Sequence, residues 1–392
     1  MKDNRDLRIV IAGAGPAGSS LAIRLAGVGY SVTLIERENF PRHKLCGEFI
    51  SPECLRHFED LGVSAAILSR GGERISKTIF YESGGRGITI PSTWFGSSGS
   101  ALGLSRAEMD LHLLQRARIL GVDIREGTSV TGVIQDGQKV SGLKLRSQEG
   151  NSSEVSGSIF IDATGRAAIL TKFINRRSGN RDKPRKGDII GFKSHLHETD
   201  LEKGRCEIYS FPGGYGGLMN IEDGLANHCF LTTAEVVRDL GGNADAIVSD
   251  HVLVNVRARE TMQNAKAAGE WIAVSIDRFG PAELSPAPNV FAVGDAGAFI
   301  DPFTGSGILM ALESSEIFAR CLIDAPDELS YRYPSAHRDR FARRMRLSSF
   351  LRHASLSPKL AKFFIFALGL APKAAHFVAR STRPTKGSDK EL

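Results

Sequence analysis

Three glycines in one turn, Gly13, Gly15 and Gly18, and an acid, Glu36, 18 residues past the last of them, are the first residues whose types and spacing can do chemistry. They lie in RIVIAGAGPAGSSLAIRLAGVGYSVTLIER, after one apolar run and at the end of the next. Gly13 permits a tight turn, Gly15 lets backbone N–H groups approach a pyrophosphate, and Gly18 lets the following helix pack closely on its strand. The helix N-terminus adds partial positive charge. Glu36 is placed to accept hydrogen bonds from a ribose diol, and an acid there disfavours a 2′-phosphate, so NAD or FAD fits better than NADP.

The second chemical stretch, VGDAGAFIDPFTGSGI, stands about 280 residues downstream. Gly294 and Asp295 end a strand, and a helix is expected to start near Thr304, after Pro302 and around Gly305 and Gly307. N–H groups at that helix start would stabilise an anion such as a reduced flavin, and Asp295 would bind the hydroxyls of a ribityl chain. One nucleotide site is thus expected from both ends of the chain. Between them, NFPRHKLCGEFISPE carries Cys46, a thiol that gates a site, donates a proton or merely packs. Arg42 and Lys44 of the same loop meet phosphate or water. Tyr215 stands between the pairs Gly213–Gly214 and Gly216–Gly217, which leave room for a ligand or close a tight hairpin. No Ser/His/Asp or paired-carboxylate constellation stands out, and the five scattered cysteines lack metal-site or disulfide-framework spacing, so no metal is expected.

The elements that must position these residues follow from periodicity. Residues 8–36 read as strand, helix from Pro16, strand. A short helix is expected over about 52–61, and another after the capping pair Ser105 and Glu108. Short strands with an Asp136–Gly137 turn follow, then a buried strand ending in IDATGR. Six basic residues in 176–188 read as a solvated linker. Strands DIIGFKSHLH, RCEIYSF, YGGLMNI and ANHCFLTT, a helix near 244–262 and the strand WIAVSID form a mostly antiparallel insertion. The expected fold is α/β with an α+β substrate lobe: a Rossmann-like lobe from 1–175 and 280–325, a substrate sheet over 188–279, and a basic helical segment over 326–392.

The chain of 392 residues, 42% apolar and 24% charged, suffices for a real core. Cysteine usage and the lack of a signal-peptide pattern favour a cytoplasmic setting. The net charge of +6 is concentrated in residues 336–392, with 13 Lys+Arg against 3 Asp+Glu. That region surrounds KLAKFFIFALGLAPKAAHFVAR, whose apolar core is too short to span a bilayer but suits either packing on the body or lying on the inner face of a membrane. No recognition motif supports nucleic acid, and nothing in the sequence fixes an oligomeric state.

Taken together and in this order, GAGPAG with Glu36–Arg37, LSRAEMD, IDATGR and GDAGAFIDPFTGSGI resemble the FAD-binding lobe of one flavoprotein superfamily. It contains p-hydroxybenzoate hydroxylase-type monooxygenases, flavin-dependent halogenases and geranylgeranyl reductases. The resemblance covers about 8–170 and 285–320. It implies Gly13, Gly15, Ala17, Gly18, Glu36 and Arg37 around the ADP half, Arg106 at the pyrophosphate and the backbone of Val130 at the adenine. Asp295, Gly307 and Ile308 would hold the ribityl chain and ring system, with Gly294, Pro302 and Gly305 in the same motif. Asp162 and Gly165 match the middle motif, in a form closer to the reductases and halogenases. Cys46, Gly47 and Glu48 combine the Cys–Gly loop of the reductases with the Gly–Glu pair of the halogenases. With one fingerprint only, NAD(P)H is expected to bind transiently as reductant. Gly217 stands where the relatives carry tryptophan, which argues against halogenation and weakens a prenyl-reductase assignment. The expected function is oxidation or reduction of a lipophilic substrate, with Cys46 and Tyr215 as candidate catalytic residues. Hydroxylation of an aromatic, polyketide or quinone compound of secondary metabolism is preferred over reduction of prenyl double bonds, and a flavin electron carrier is a third alternative.

Overall fold

The runs RIVIA, SVTLI, IFID and VFA are almost continuously apolar, as strands buried on both faces of a parallel sheet must be. In the computed structural model, which describes residues 7–95, 99–177, 189–276, 279–355 and 358–383, they pair in parallel with Asp123–Arg125. The order across the sheet is Val290–Ala292, Ile159–Asp162, Arg8–Ala12, Ser31–Ile35, Asp123–Arg125. The early and late segments therefore end on the same edge with only one strand between them. Ligands of open parallel sheets collect outside that carboxyl edge.

The Pro16–Gly27 helix starts with proline at its first turn, and the Arg106–Ile119 helix is capped by Ser105, whose hydroxyl accepts from Glu108 N at 3.2 Å. The Gly307–Asp324 helix lies against Pro16–Gly27, close enough for the Ser20 and Ser315 hydroxyls to meet at 2.6 Å. It begins three residues later than expected, because Asp301 accepts from Phe303 N and Gly305 takes φ +59°, a turn that delays the first regular helical residue. Behind it, buried Glu313 meets Arg340 and Arg344 of the Leu329–Ser355 helix at 2.7 Å each.

Among the described residues the inserted sheet has eight strands. Ile189–His197, Arg205–Phe211, Gly214–Asn220 and Ala226–Thr233 pair antiparallel as their alternation predicts, with Ile272–Ile276 on the outer side. It is not confined to residues 188–279: Lys77–Tyr81 joins Arg205–Phe211 in parallel, and Gly87–Pro91 follows it. An edge left by the insertion is thus covered by the earlier part of the chain. The expected 244–262 helix is broken into Ala244–Asp250 and Val256–Met262 at Asn255. That side chain caps the second helix at Ala258 N and donates to Glu82 O and Ser210 O, tying it to the sheet. A three-stranded antiparallel sheet turns at Asp136–Gly137 as expected. Most of the basic 176–188 stretch lies outside the described residues.

Burial alone would raise the Glu313 carboxyl, but Arg344 and Arg340 outweigh it and hold it below the usual carboxylate range. Glu313→Ala is expected to lower unfolding free energy in a urea titration by about 3–5 kcal/mol, since the buried Arg344 guanidinium loses the carboxylate it pairs with. In the parent protein the folded value lies below the unfolded one. The group's contribution is therefore complete above about pH 4.3 and is lost as pH falls through the folded value.

Candidate functional site

The glycine turn is shaped by what will not fit there. A β-carbon on Gly13, at φ +103°, would lie 2.3 Å from Ala163 O, and one on Gly18 would lie 1.9 Å from Gly13 O. Gly18 thus serves packing and does not face the cavity described below. Gly15 is different: its missing side chain opens toward Arg106, 3.7 Å away, so the N-terminus of Pro16–Gly27 is bare to a ligand. Ala17 continues that floor. Arg106 holds Asp110 through two hydrogen bonds of 2.7 and 2.9 Å, and Arg42 reaches the same carboxylate at 3.0 Å. Arg42 and Arg106, balanced by Asp110 and Glu36, and a helix N-terminus set charged and backbone N–H donors beside Gly15, which suits a pyrophosphate. Glu36 accepts from Ala14 N at 2.9 Å and stands 3.6 Å from Arg42, so it both braces the turn and presents a carboxylate to the cavity. Arg37 and Val130 line the outer end of that arm.

Gly294 joins the two halves, for at φ +60° its β-carbon would be 2.7 Å from the Ala17 side chain. It too shapes the site without lining it. The next residue, Asp295, lines the cavity; burial pushes its carboxyl up to about 6, opposed by the nearby charges of Arg106 and Arg166, with no hydrogen bond contributing. Such an acid calls for donors, and polyol hydroxyls supply them. Pro302, Gly305, Gly307 and Ile308 form the adjoining wall, and a β-carbon on Gly307 would meet open space. The cavity measures about 1160 Å³, above the usual 300–1,000 Å³ of ligand pockets, and extends to Tyr215 and Gly216 of the sheet and Phe364 and Leu368 of the late helices. The residues present fit a dinucleotide, with space left for a second molecule.

Asp162 is placed differently from the resemblance. Its buried carboxylate accepts from Thr164 and Thr171 through both backbone N–H and hydroxyl groups, at 2.6 to 3.2 Å, and it does not line the cavity. It shapes the turn that carries Ala163 and Gly165 to the ligand. Tyr215 packs edge-on against Phe303, and its hydroxyl donates to Asp301 at 2.6 Å. Its ring faces the cavity while its proton is committed to the turn before the late helix. The flanking glycines serve packing as well: β-carbons on Gly216 and Gly217 would lie 2.5 Å from Phe230 and 2.8 Å from Ile208.

The loop carrying Cys46 and Gly47 holds a cluster that residue spacing in that loop alone does not reveal. Glu48, fully buried at φ +56°, accepts from Lys193 Nζ at 2.5 Å and Arg106 N at 2.8 Å on one oxygen and meets His195 Nε2 at 2.8 Å on the other. Burial alone would raise the Glu48 carboxyl, yet the hydrogen bond from His195 and the charge of Lys193 hold it below the usual range. Lys193 and His195 stand two apart in one strand and share a face, a signal visible in DIIGFKSHLH as basic residues alternating along a strand that starts apolar. His43 packs edge-on against His195, with ring centroids 5.3 Å apart. Cys46 lines the cavity between Arg106 and Cys229; burial pushes its thiol up, and Arg106 only partly offsets this, so it is protonated at neutral pH. Glu48 N donates to its sulfur at 3.3 Å, and Asn227 Nδ2 to its carbonyl at 3.1 Å.

Comparison with known proteins agrees with this geometry. A tryptophan 2-halogenase of Chondromyces crocatus is 26% identical over 80% of this chain, which spans 60% of that protein's length. A digeranylgeranylglycerophospholipid reductase of Methanosarcina acetivorans is 28% identical over 83% of this chain and 76% of its own. A menaquinone reductase of Mycolicibacterium smegmatis is 26% identical over 86% and 81%. The fold matches that of a flavin-dependent brominase, with TM-score 0.79 and 20% identity over 97% of this chain and 95% of the other. It also matches a geranylgeranyl bacteriochlorophyll reductase-like protein of Thermoplasma acidophilum, with TM-score 0.78 and 18% identity over 96% of both. The family model described as "FAD binding domain" matches residues 6–325, which contain the glycine turn, the Asp295 segment and the strand between them, and the chain accordingly belongs to the FAD binding domain family.

Proposed function

We propose that this protein is an FAD-dependent oxidoreductase that reduces a carbon–carbon double bond of a prenyl-bearing lipophilic substrate, with NAD(P)H as transient reductant. The observation that carries the reaction is the place of Cys46 at the cavity wall, between the dinucleotide arm and the apolar arm, where burial favours the protonated thiol. Bound FAD would supply two electrons as a hydride to one carbon of the double bond. The other carbon then needs a proton, and Cys46 Sγ holds one. Arg106, Arg42 and the Gly15 helix start would bind the pyrophosphate, and Asp295 the ribityl hydroxyls. The walls of Ile208, Phe364 and Leu368 would exclude water and receive an unbranched or isoprenoid chain. Two relatives named as reductases of prenyl-bearing compounds, each matched over three quarters or more of both proteins, support this choice. Hydroxylation of an aromatic compound is the second reading, favoured by Gly217 in place of a tryptophan.

Oxygen decides between them. Reduced anaerobically with NAD(P)H, the protein is expected to convert a prenylated quinone without O2; product that appears only with matching O2 consumption establishes hydroxylation instead. Under the same conditions Cys46→Ala is expected to lower turnover about 10²–10⁴-fold with FAD content unchanged, the range of a lost proton donor, while Cys46→Ser retains part of it. In a fluorescence titration of the apoprotein with FAD, Asp295→Asn is expected to weaken binding at least tenfold, since hydrogen bonds to a charged acceptor are worth about 1.5–3 kcal/mol. The ionised carboxylate is the better acceptor and its value lies near 6, so affinity of the parent should fall as pH drops through about 6. The variant's affinity should stay level across that range.

A further inference from the structure

The Pro358–Leu370 and Pro372–Ser381 helices have two faces with different surroundings. On one, Ala361, Phe364, Ile365 and Leu368, at helical spacing, line the cavity. On the other, Leu360, Phe363, Phe366, Leu370 and Phe377 are 47–72% exposed. Leu360, Phe363, Phe366 and Leu370 repeat at helical spacing opposite the cavity-lining residues, and with Phe377 exposed on the next helix they mark a contact surface rather than scattered exposure. Lys359, Lys362 and Lys373 stand exposed around them, within a region of strong positive excess. Among the described residues no single helix is long and apolar enough to cross a membrane, and the two pass that test only together, bent by 116°.

An apolar face ringed by lysines, on helices too short to span, is the pattern of a segment lying in the plane of a headgroup layer. Anionic lipid satisfies both halves of it, burying the phenylalanines in the acyl boundary and neutralising the lysines. A second copy of the same surface would bring like charges together. The pair is also fixed to the site: Arg383 Nη2 donates to Thr304 O at 3.0 Å, in the turn beside Gly305, with its guanidinium 4.5 Å over the Phe95 ring, and Arg380 donates to Trp94 O at 3.1 Å.

We propose that this bent helix pair docks in an anionic membrane surface and that the lipophilic substrate passes from the bilayer into the cavity around a wall one helix thick. The docking stands on the exposed face alone; the identity of the cargo rests on the reductase reading above.

The test uses the full chain loaded with FAD and vesicles of phosphatidylglycerol and phosphatidylcholine in equal parts, against phosphatidylcholine alone. The protein should sediment with the anionic vesicles and be released by salt. Phe363→Asp with Phe377→Asp should reduce binding about tenfold or more, and Lys359→Glu with Lys362→Glu should remove the preference for anionic lipid. Both pairs sit on the exposed face, so FAD content and thermal midpoint should not change. With a prenylated quinone in the vesicles, the Phe363/Phe377 variant should lose turnover by the factor it loses in binding, yet match the parent when the quinone is in detergent micelles. Equal sedimentation with and without vesicles, or variants that bind like the parent, overturns docking and leaves the reductase reading standing. Turnover that ignores lost binding overturns the delivery route. Vesicle binding without turnover in either medium supports docking and defeats the reductase reading.

Discussion

Three close backbone approaches hold the dinucleotide cradle together: Gly13 against Ala163, Gly18 against Gly13, and Gly294 against Ala17. The first and third bring distant parts of the chain to the carboxyl edge of one parallel sheet and the second closes the turn on itself, at separations where a single β-carbon would force the atoms apart. The cavity is the space these approaches leave in front of them. Its charges then have fixed places, because the helix start at Gly15, Arg106 and Asp295 are all attached to strands or helices that cannot move independently of one another.

Two buried acids organise the cations around that cradle. Asp110 gathers Arg42 and Arg106 on the dinucleotide side, and Glu48 gathers Lys193 and His195 on the sheet side. Glu48 also accepts the backbone N–H of Arg106, so the two groups are linked through one residue. Buried ion pairs of this kind are poor sources of net stability, but breaking one by removing a single partner is costly. Their role here is to fix orientation. The inserted sheet is registered against the flavin lobe by charge as well as by apolar packing, and Cys46 sits two residues from the residue that makes the link.

Much of this was legible in the sequence because the constraints were local. The Gly13–Gly18 turn, the Ser105 cap and the Asp136–Gly137 hairpin each depend on residues within a few positions of one another. What escaped depended on distant partners. Lys77–Tyr81 and Gly87–Pro91 are short strands whose place in the sheet comes from an edge supplied by residues more than a hundred positions later. Lys193 and His195 become a site only when Glu48 arrives from another element. Asp162 belongs to a recognisable motif, yet whether its carboxylate turns to the ligand or to Thr164 and Thr171 is decided by the loop that closes over it. The Asn255 break likewise reflects carbonyls at Glu82 and Ser210, which no helical periodicity reports.

The sheet order bears on how the molecule is made. Gly13 and Gly294 touch the same end of the cradle but are about 280 residues apart in synthesis, which at roughly 5–20 residues per second is a delay of about a quarter of a minute to a minute. Through that interval the emerging first strand and its glycine turn have no Val290–Ala292 segment to complete them. A complete dinucleotide site therefore exists only once the Gly294–Asp295 segment has been translated.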